Sequence, residues 1–431
     1  MNLNWLPPSL QHRRFRYLWI GLLISIAGNQ MQTAAVLWHI KQLSPEPIAL
    51  GGVGLVRLVP LLVFSLIAGA IADVVNRRRL MIVTQSVTAI LSASLGVLTL
   101  LGMDSIPVIY GIISLSSAFW AFDNPARQSL IPNLVPREKL TNAFSLSSIA
   151  SKFGSIVGPA VGGLILAKWG IAYAYFFDAL SFLAVIYALI RMGPVEQATD
   201  DKVKEIHDIL HVPSLIASVR DGFGFVLNQP VILSSMLLDG FATVFATVTA
   251  LLPIFAVDIL GVGAEGYGLL SAAPPTGAAI VALILSFTKQ IRNQGRTLLL
   301  AVGGFGLSAM LFGVSRSFTL TFIALALTGG TDTLSQIIRS TIRQLQTPDH
   351  LRGRTVSINQ LFFAGGPELG QLTAGVLAQL FGPVIAVVSG SFLCLIASTG
   401  IAVRFPELRR YRGDEAFAAG GSQIESAKPL P

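Results

Sequence analysis

Apolar runs long enough to cross a lipid bilayer recur along this chain, and they leave it few ways to fold. A hydrocarbon core of about 30 Å takes about 20 helical residues. On that length the chain divides into spans at 16–39, 48–72, 80–102, 106–130, 142–167, 171–191, 231–257, 266–288, 297–315, 319–344, 356–380 and 383–403. Inside lipid every backbone N–H and C=O must bond within the protein, so segments that cross singly in this way must be helices. Composition agrees: 53% of the 431 residues are apolar, 12% are charged, and the mean hydropathy is +0.69. Soluble proteins carry about 25% charged residues. An all-α polytopic membrane protein follows, with both termini on the same side.

The net charge of +8 would suit nucleic acid in a soluble chain. Here its distribution gives another meaning. Most Lys and Arg lie at the N-terminus (Arg13, Arg14, Arg16), at 73–79, 131–141, 192–230, 289–296 and 345–355, and in the tail. The opposite loops hold Lys41, Lys168 and Arg316. By the positive-inside rule both ends face the cytoplasm. The first span lacks a small-residue cleavage site and reads as a retained helix. Cys394 is the single cysteine, which rules out an intramolecular disulfide.

The joins are short except for the polar stretch 192–230, which divides the chain into 1–191 and 231–404. Within it Ser214 to Leu227 has the makings of an amphipathic surface helix, and the tail 405–431, rich in Gly and Pro, is expected to be disordered. The halves repeat each other. Arg127, Pro136 and Ser145 recur 212 residues later as Arg339, Pro348 and Ser357, and Gly158-Pro159 and Gly162 recur 208 residues later as Gly366-Pro367 and Gly370. Two six-helix repeats with a site between them at mid-membrane are a transporter architecture.

One loop ties these features together: Gly69-Ala-Ile-Ala-Asp73-Val-Val-Asn-Arg77-Arg78-Arg79. Gly69 offers a surface for close helix approach. Asp73 is placed to cap the next helix or hold a cation, and the arginines mark a cytoplasmic loop. The pattern resembles the loop between helices 2 and 3 of the major facilitator superfamily, although Val74 stands where that signature has Arg. Phe15-Arg16-x-Leu-Trp19, the run from Asp123 to Pro132, Leu134 to Glu138, and Thr347 to Arg354 resemble one branch in particular. That branch includes the enterobactin exporter and the macrolide efflux proteins, and the resemblance extends from residue 12 to 405. It implies a multi-pass bacterial inner-membrane protein that exports a siderophore, macrolide or other drug, in exchange for protons.

Within that frame the intramembrane polar residues become candidates, because charge in lipid is costly. Gly154, Gly158, Pro159, Gly162 and Gly163 of helix 5 expose backbone along one face and invite a bend at the proline. They resemble the helix-5 signature of facilitator antiporters. Asp123 and Arg127, four residues apart, can pair. By resemblance Asp123 meets Arg77 while Asp73 faces helix 11, so that Gly69, Asp73, Arg77, Arg78, Asp123 and Arg127 form a cytoplasmic gate between the halves. Asp239, near the middle of helix 7, is the first choice for a proton-coupling carboxylate, with Asp332 and Glu368 behind it. Asp178 is a further intramembrane acid with no assigned role. For Asp239, Asp332 and Glu368 the competing expectation is a permanent ion pair with Arg57, Lys152 or Arg339, or a water-facing polar group. Helices 1, 4, 7 and 10 are expected to line a solute cavity through Asn29, Gln32, Trp38, Trp120, Phe241, Phe245 and Gln336, with Arg57 and Arg339 bordering it. Aromatics beside amides suit a large amphipathic ligand.

No nucleotide-binding loop and no nucleophile–base–acid set stand out, so the chain is not read as an enzyme. His12, His39, His207, His211 and His350 have no metal-site spacing. No cofactor is expected; the expected partners are a small-molecule substrate, protons and the lipid bilayer, with no nucleic acid and a monomeric state. Import, lipid flipping, or a receptor or scaffold that keeps the fold without transporting are the alternative functions.

Overall fold

A computed structural model describes residues 6–195, 224–288, 291–347 and 352–413, without the side chains at 66, 70, 72–74 and 352–364. Among the described residues the first half forms α1 (Arg13–Leu43), α2 (Pro47–Val74), α3 (Arg77–Leu100), α4 (Ile106–Leu130), α5 (Leu140–Lys168) and α6 (Ile171–Met192). The second forms α7 (Pro230–Phe245), α8 (Gly263–Ser286), α9 (Gln294–Val314), α10 (Phe318–Gln346), α11 (Arg352–Phe381) and α12 (Pro383–Arg404). Ten described segments are long and apolar enough to cross a membrane, α2 over Pro47–Ser65 and α7 over Pro230–Ile259. The remaining two, α10 and α11, have 29 and 30 residues but carry Asp332, Arg339, Arg343, Glu368 and Gln371 within them.

Each half packs in the same way. In the first, α1 lies on α5 and α6, α2 on α4, and α3 on α4 and α6. In the second, α7 lies on α11 and α12, α8 on α10, and α9 on α10 and α12. The large contacts between halves are α2 with α11 and α5 with α8. All occur away from the face that carries both ends of the described chain, hereafter the terminal face, and near the opposite face. Lipid-embedded helices associate by close backbone approach rather than hydrophobic burial, and glycines supply it here. A Cβ on Gly375 of α11 would fall 2.6 Å from the Gly51 Cα of α2, and one on Gly163 of α5 would fall 2.7 Å from the Gly268 Cα of α8. Gly163 and Gly375 are themselves 212 residues apart, the offset of the repeat. Around these points Tyr267 donates to the Ala34 carbonyl at 3.0 Å, Trp38 stacks on Tyr267 at 5.2 Å, and Lys41 Nζ meets Asp258 Oδ2 at 2.8 Å.

Several expectations are corrected by the packing. Span 7 is not one helix: α7 stops at Phe245 and the chain continues through a 3₁₀ turn (Thr249–Leu251) and a π-helical turn (Phe255–Ile259). The Thr243 hydroxyl bonds back to the Asp239 carbonyl at 2.8 Å, and that of Thr247 to the Thr243 carbonyl, which bends helices. Pro253 then withholds an N–H from the next turn. The irregular stretch is buried in protein, with Ala246 and Val248 inaccessible, as backbone outside a helix must be at that depth. Among the described residues nothing lies within 4 Å of where a Cβ on Gly69 would stand. Asn76, not Asp73, caps α3, accepting from the Arg79 N–H at 3.0 Å; the Asp73 side chain is outside the described residues. The tail begins ordered. Pro406–Arg410 is helical, Leu408 is fully buried, and the Gly295 N–H donates to the Tyr411 carbonyl at 3.0 Å. Residues 414–431, and 214–223 of the expected surface helix, lie outside the described residues.

Gly375→Leu should wedge α2 from α11 at the opposite face. With Cys394 replaced, and cysteines placed at Lys41 and Asp258, cross-linking across the halves should fall several-fold relative to the same pair with Gly375 intact.

Candidate transport site

A cavity of about 670 Å³ lies against the first half, with Glu368 of α11 on its far wall. Its lining reaches from Leu95 and Ile113, deep toward the opposite face, to Arg127, Gln128 and Phe144 at the terminal-face ends of α4 and α5. The seal described above closes it from the opposite face. Volumes of this order suit drug-sized ligands.

α1 contributes the amides of Asn29, Gln30 and Gln32, on a helix that would otherwise read as apolar. They are held rather than loose. Gln30 Nε2 donates to Ser155 Oγ of α5 at 3.1 Å, and Gln32 Nε2 to Ser92 Oγ of α3 at 3.0 Å. Arg57 of α2 also faces the cavity and reaches Thr33 Oγ1 of α1 at 3.4 Å. Trp120 of α4 presents its indole, 44% exposed, to the same space. Glu368 accepts from Gln371 Nε2 at 3.0 Å. The result is a pocket with one large aromatic surface, several amides and hydroxyls, and charges of both signs.

Among the described residues, Asp123, Arg127, Arg77 and Arg78 have contacts within the first half. Asp123 Oδ1 accepts from Thr84 Oγ1 and Gln85 Nε2, both at 2.9 Å, and its Oδ2 meets Arg127 Nη2 at 3.3 Å. Arg77 Nη1 donates to the Ser129 carbonyl at 3.1 Å, and Arg78 Nε to that of Leu189 at 2.6 Å, so both bind helix C-terminal ends where cations are favoured. Of the helix-5 set, Gly154, Gly158 and Gly162 face α1, while Gly163 faces α8. Helix α5 runs through Pro159 without interruption.

A second polar cluster sits in the other half. Arg339 Nη2 lies 2.8 Å from Asp239 Oδ1 and 3.8 Å from Asp332 Oδ1, and its Nη1 donates to Ser335 Oγ at 3.0 Å. Asp332, Ser335 and Arg339 share one face of α10. Asp239 therefore has the ion-pair partner that was the competing expectation. Five residues assigned to the cavity are not in its lining: Phe241 and Phe245 stack on each other at 5.9 Å, Arg339 is taken by Asp239, Gln336 lies on α10 beside it, and Trp38 stacks on Tyr267. Trp38 belongs to the opposite-face seal. Lys152 is exposed on α5.

Sequence reasoning passed over one further group. His39 Nδ1 bonds the Tyr175 hydroxyl at 3.0 Å and its Nε2 bonds Asp104 Oδ2 at 2.5 Å. A histidine ending the first span and an acid in the next loop on the same side were the available signal.

Two repeated six-helix bundles enclosing a cavity open to one face define a secondary transporter of the major facilitator superfamily. The chain belongs to the transmembrane secretion effector family, whose profile matches residues 4–418. It is 29% identical over 408 residues to the enterobactin exporter EntS of Shigella boydii serotype 18, covering 93% of this chain and 94% of the relative. EntS of Escherichia coli O157:H7 shows the same identity and coverage. Among solved structures it is similar to a bacterial homologue of the human lysosomal transporter Spinster in an inward-facing, occupied conformation (TM-score 0.69, 14% identity, 92% of this chain and 97% of that one). A bacterial homologue of the iron transporter ferroportin in its inward-facing state has a TM-score of 0.67 at 15% identity, covering 93% and 99%.

Removing one member of a buried ion pair typically costs about 3–5 kcal/mol, because the other is left uncompensated. Arg339→Ala should thus lower the melting temperature of the purified protein sharply. Combining it with Asp239→Asn should recover much of the loss; a double variant no more stable than the single one would count against the pairing.

Proposed function

We propose that the protein exports an amphipathic organic molecule, of the siderophore or drug class, across the bacterial inner membrane in exchange for protons. The observation that carries this reading is the polar cavity against the first half, with Glu368 of α11 on its far wall and a lining that extends to the terminal-face ends of α4 and α5. Charge distribution makes the terminal face cytoplasmic, so the cavity is placed to load solute from inside. The resemblance to structures in inward-facing states and the family's secretion description both support it.

Loading is followed by rocking of the halves. The glycine contacts at the opposite face separate, and the terminal ends of α2 and α11 converge around Gly69. Asp73, Arg77, Arg78, Asp123 and Arg127 then form the cytoplasmic gate, an ion-pair contact with two arrangements of the kind a bistable interface needs. Trp120 offers a face for a planar group. Asn29, Gln32 and Arg57 offer donors for oxygen-rich ligands, and enterobactin is the solute named for the EntS relatives. Of the three carboxylates expected to couple protons, Glu368 is the one in the cavity wall. Asp239 and Asp332 share Arg339 and serve as a switchable pair in the second half.

Everted membrane vesicles with an imposed pH gradient, acidic inside, test the reading. Enterobactin should accumulate in vesicles carrying the protein, and a protonophore should abolish the accumulation. Glu368→Gln should lower it at least tenfold. Transport indifferent to the gradient, or none for enterobactin and a macrolide alike, would overturn the proposal.

A further inference from the structure

The last spanning helix ends beside a groove that shares no residue with the transport cavity. α12 stops at Arg404, the backbone leaves the helical region at Phe405, and Pro406–Arg410 forms a separate short helix. That junction is fixed in place. Leu408 is fully buried, and a Cβ on Gly295 at the start of α9 would collide with the Leu408 carbonyl. The Gly295 N–H also donates to the Tyr411 carbonyl at 3.0 Å. Along α12 the groove is lined by Phe392, Ile396, Gly400 and Val403, and Arg404 and Glu407 stand at its mouth.

The four lining residues recur every three or four positions, so they form one stripe of the helix. Phe392, Ile396 and Val403 are large, apolar and exposed. Among the described residues nothing lies within 4 Å of where a Cβ on Gly400 would stand, so the glycine leaves a notch between them. From Phe392 to Val403 the stripe rises about 17 Å at about 1.5 Å per residue, close to the roughly 15 Å of one bilayer leaflet. At the terminal-face end charge takes over. Arg404 and Glu407 are both exposed, and neither has an ion-pair partner among the described residues. The Arg404 guanidinium lies over the Phe405 ring at 5.7 Å, which keeps it at the end of the groove.

An occupant that matches this surface is apolar through one leaflet and carries both signs of charge at the interface. A spanning helix of a partner protein continues through both leaflets and leaves the two charges unmatched. A lipid that is only anionic matches Arg404 and not Glu407. A phospholipid with a primary ammonium matches both. Its phosphate takes the guanidinium through paired N–H bonds, and its ammonium N–H groups donate to the Glu407 carboxylate. A choline headgroup has no N–H to give there.

We infer that this groove binds a phosphatidylethanolamine-type lipid of the terminal-face leaflet, with an acyl chain along Phe392 to Val403, the phosphate on Arg404 and the ammonium on Glu407. Bound there, the lipid braces the junction that fastens the end of α12 to the start of α9.

The delipidated protein in detergent tests the site when given phosphatidylethanolamine, phosphatidylcholine or phosphatidylglycerol with the same acyl chains. The readouts are the melting temperature and the lipid retained in native mass spectrometry. Phosphatidylethanolamine should raise the melting temperature most and be the lipid retained. Glu407→Gln should erase its advantage over phosphatidylcholine, and Arg404→Gln should weaken binding of all three several-fold. Gly400→Leu fills the notch without touching a charge and should also lose the retained lipid. All three positions are exposed, so without lipid each variant should melt as wild type does. Equal effects of the three lipids on wild type would mean bulk solvation and overturn the inference. A preference for phosphatidylglycerol would overturn it too, because the exposed Arg409 and Arg410 attract anionic lipid by charge alone. So would an ethanolamine preference that survives Glu407→Gln or Gly400→Leu. None of these readouts involves solute or proton flux, so a failure of the export proposal leaves them standing.

Discussion

Helices in lipid gain nothing from burying apolar surface against one another, because the lipid is equally apolar. What holds a pair is how closely the backbones approach, and the two halves of this protein approach closely where glycine meets glycine, at Gly51–Gly375 and Gly163–Gly268. These contacts occupy equivalent places in the two repeats and lie near one face. They bring α2 to α11 and α5 to α8 there. The seal, the cavity and the direction in which it opens all follow from that asymmetry. A contact made of backbone, without long interlocked side chains, can also be broken and remade.

The polar residues buried in the bundle are organised so that none of the acids is left as a bare charge. Asp123 has Thr84, Gln85 and Arg127, and Asp239 has Arg339. Asp178, with no cation beside it among the described residues, accepts from the Ser92 hydroxyl. The two halves thus use their acids differently even though their helices pack in the same pattern. The first half supplies most of the cavity wall and an acid held by a hydroxyl; the second supplies an ion-pair cluster and Glu368. Repeated folding with divided chemistry suits a machine that binds two different ligands in turn.

Much of the fold is legible in the amino-acid string. Span positions, the division into repeats and the family resemblance depend on local composition and spacing, which survive in one dimension. The site is legible only in part. Asn29, Gln32, Arg57 and Trp120 line the cavity, whereas Phe241, Phe245 and Arg339 do not, because a residue's depth can be counted along a helix but its neighbours cannot. Trp38 has the composition of a ligand platform and is a seal. Asp178 and His39 are visible as letters and carry no role on their own, since their meaning lies in Ser92, Tyr175 and Asp104, brought from other segments.

By itself the amino-acid sequence determined that this chain crosses a membrane repeatedly as helices and that its halves are copies, because hydropathy and the need to satisfy every backbone group in lipid act within each segment. It also determined the charge asymmetry from which orientation is argued. Only the tertiary structure decided which helices meet across the halves, which acid has a cation, and where span 7 breaks. Those outcomes depend on distances between helices far apart in the chain, and on how many hydrogen-bond donors converge on one oxygen.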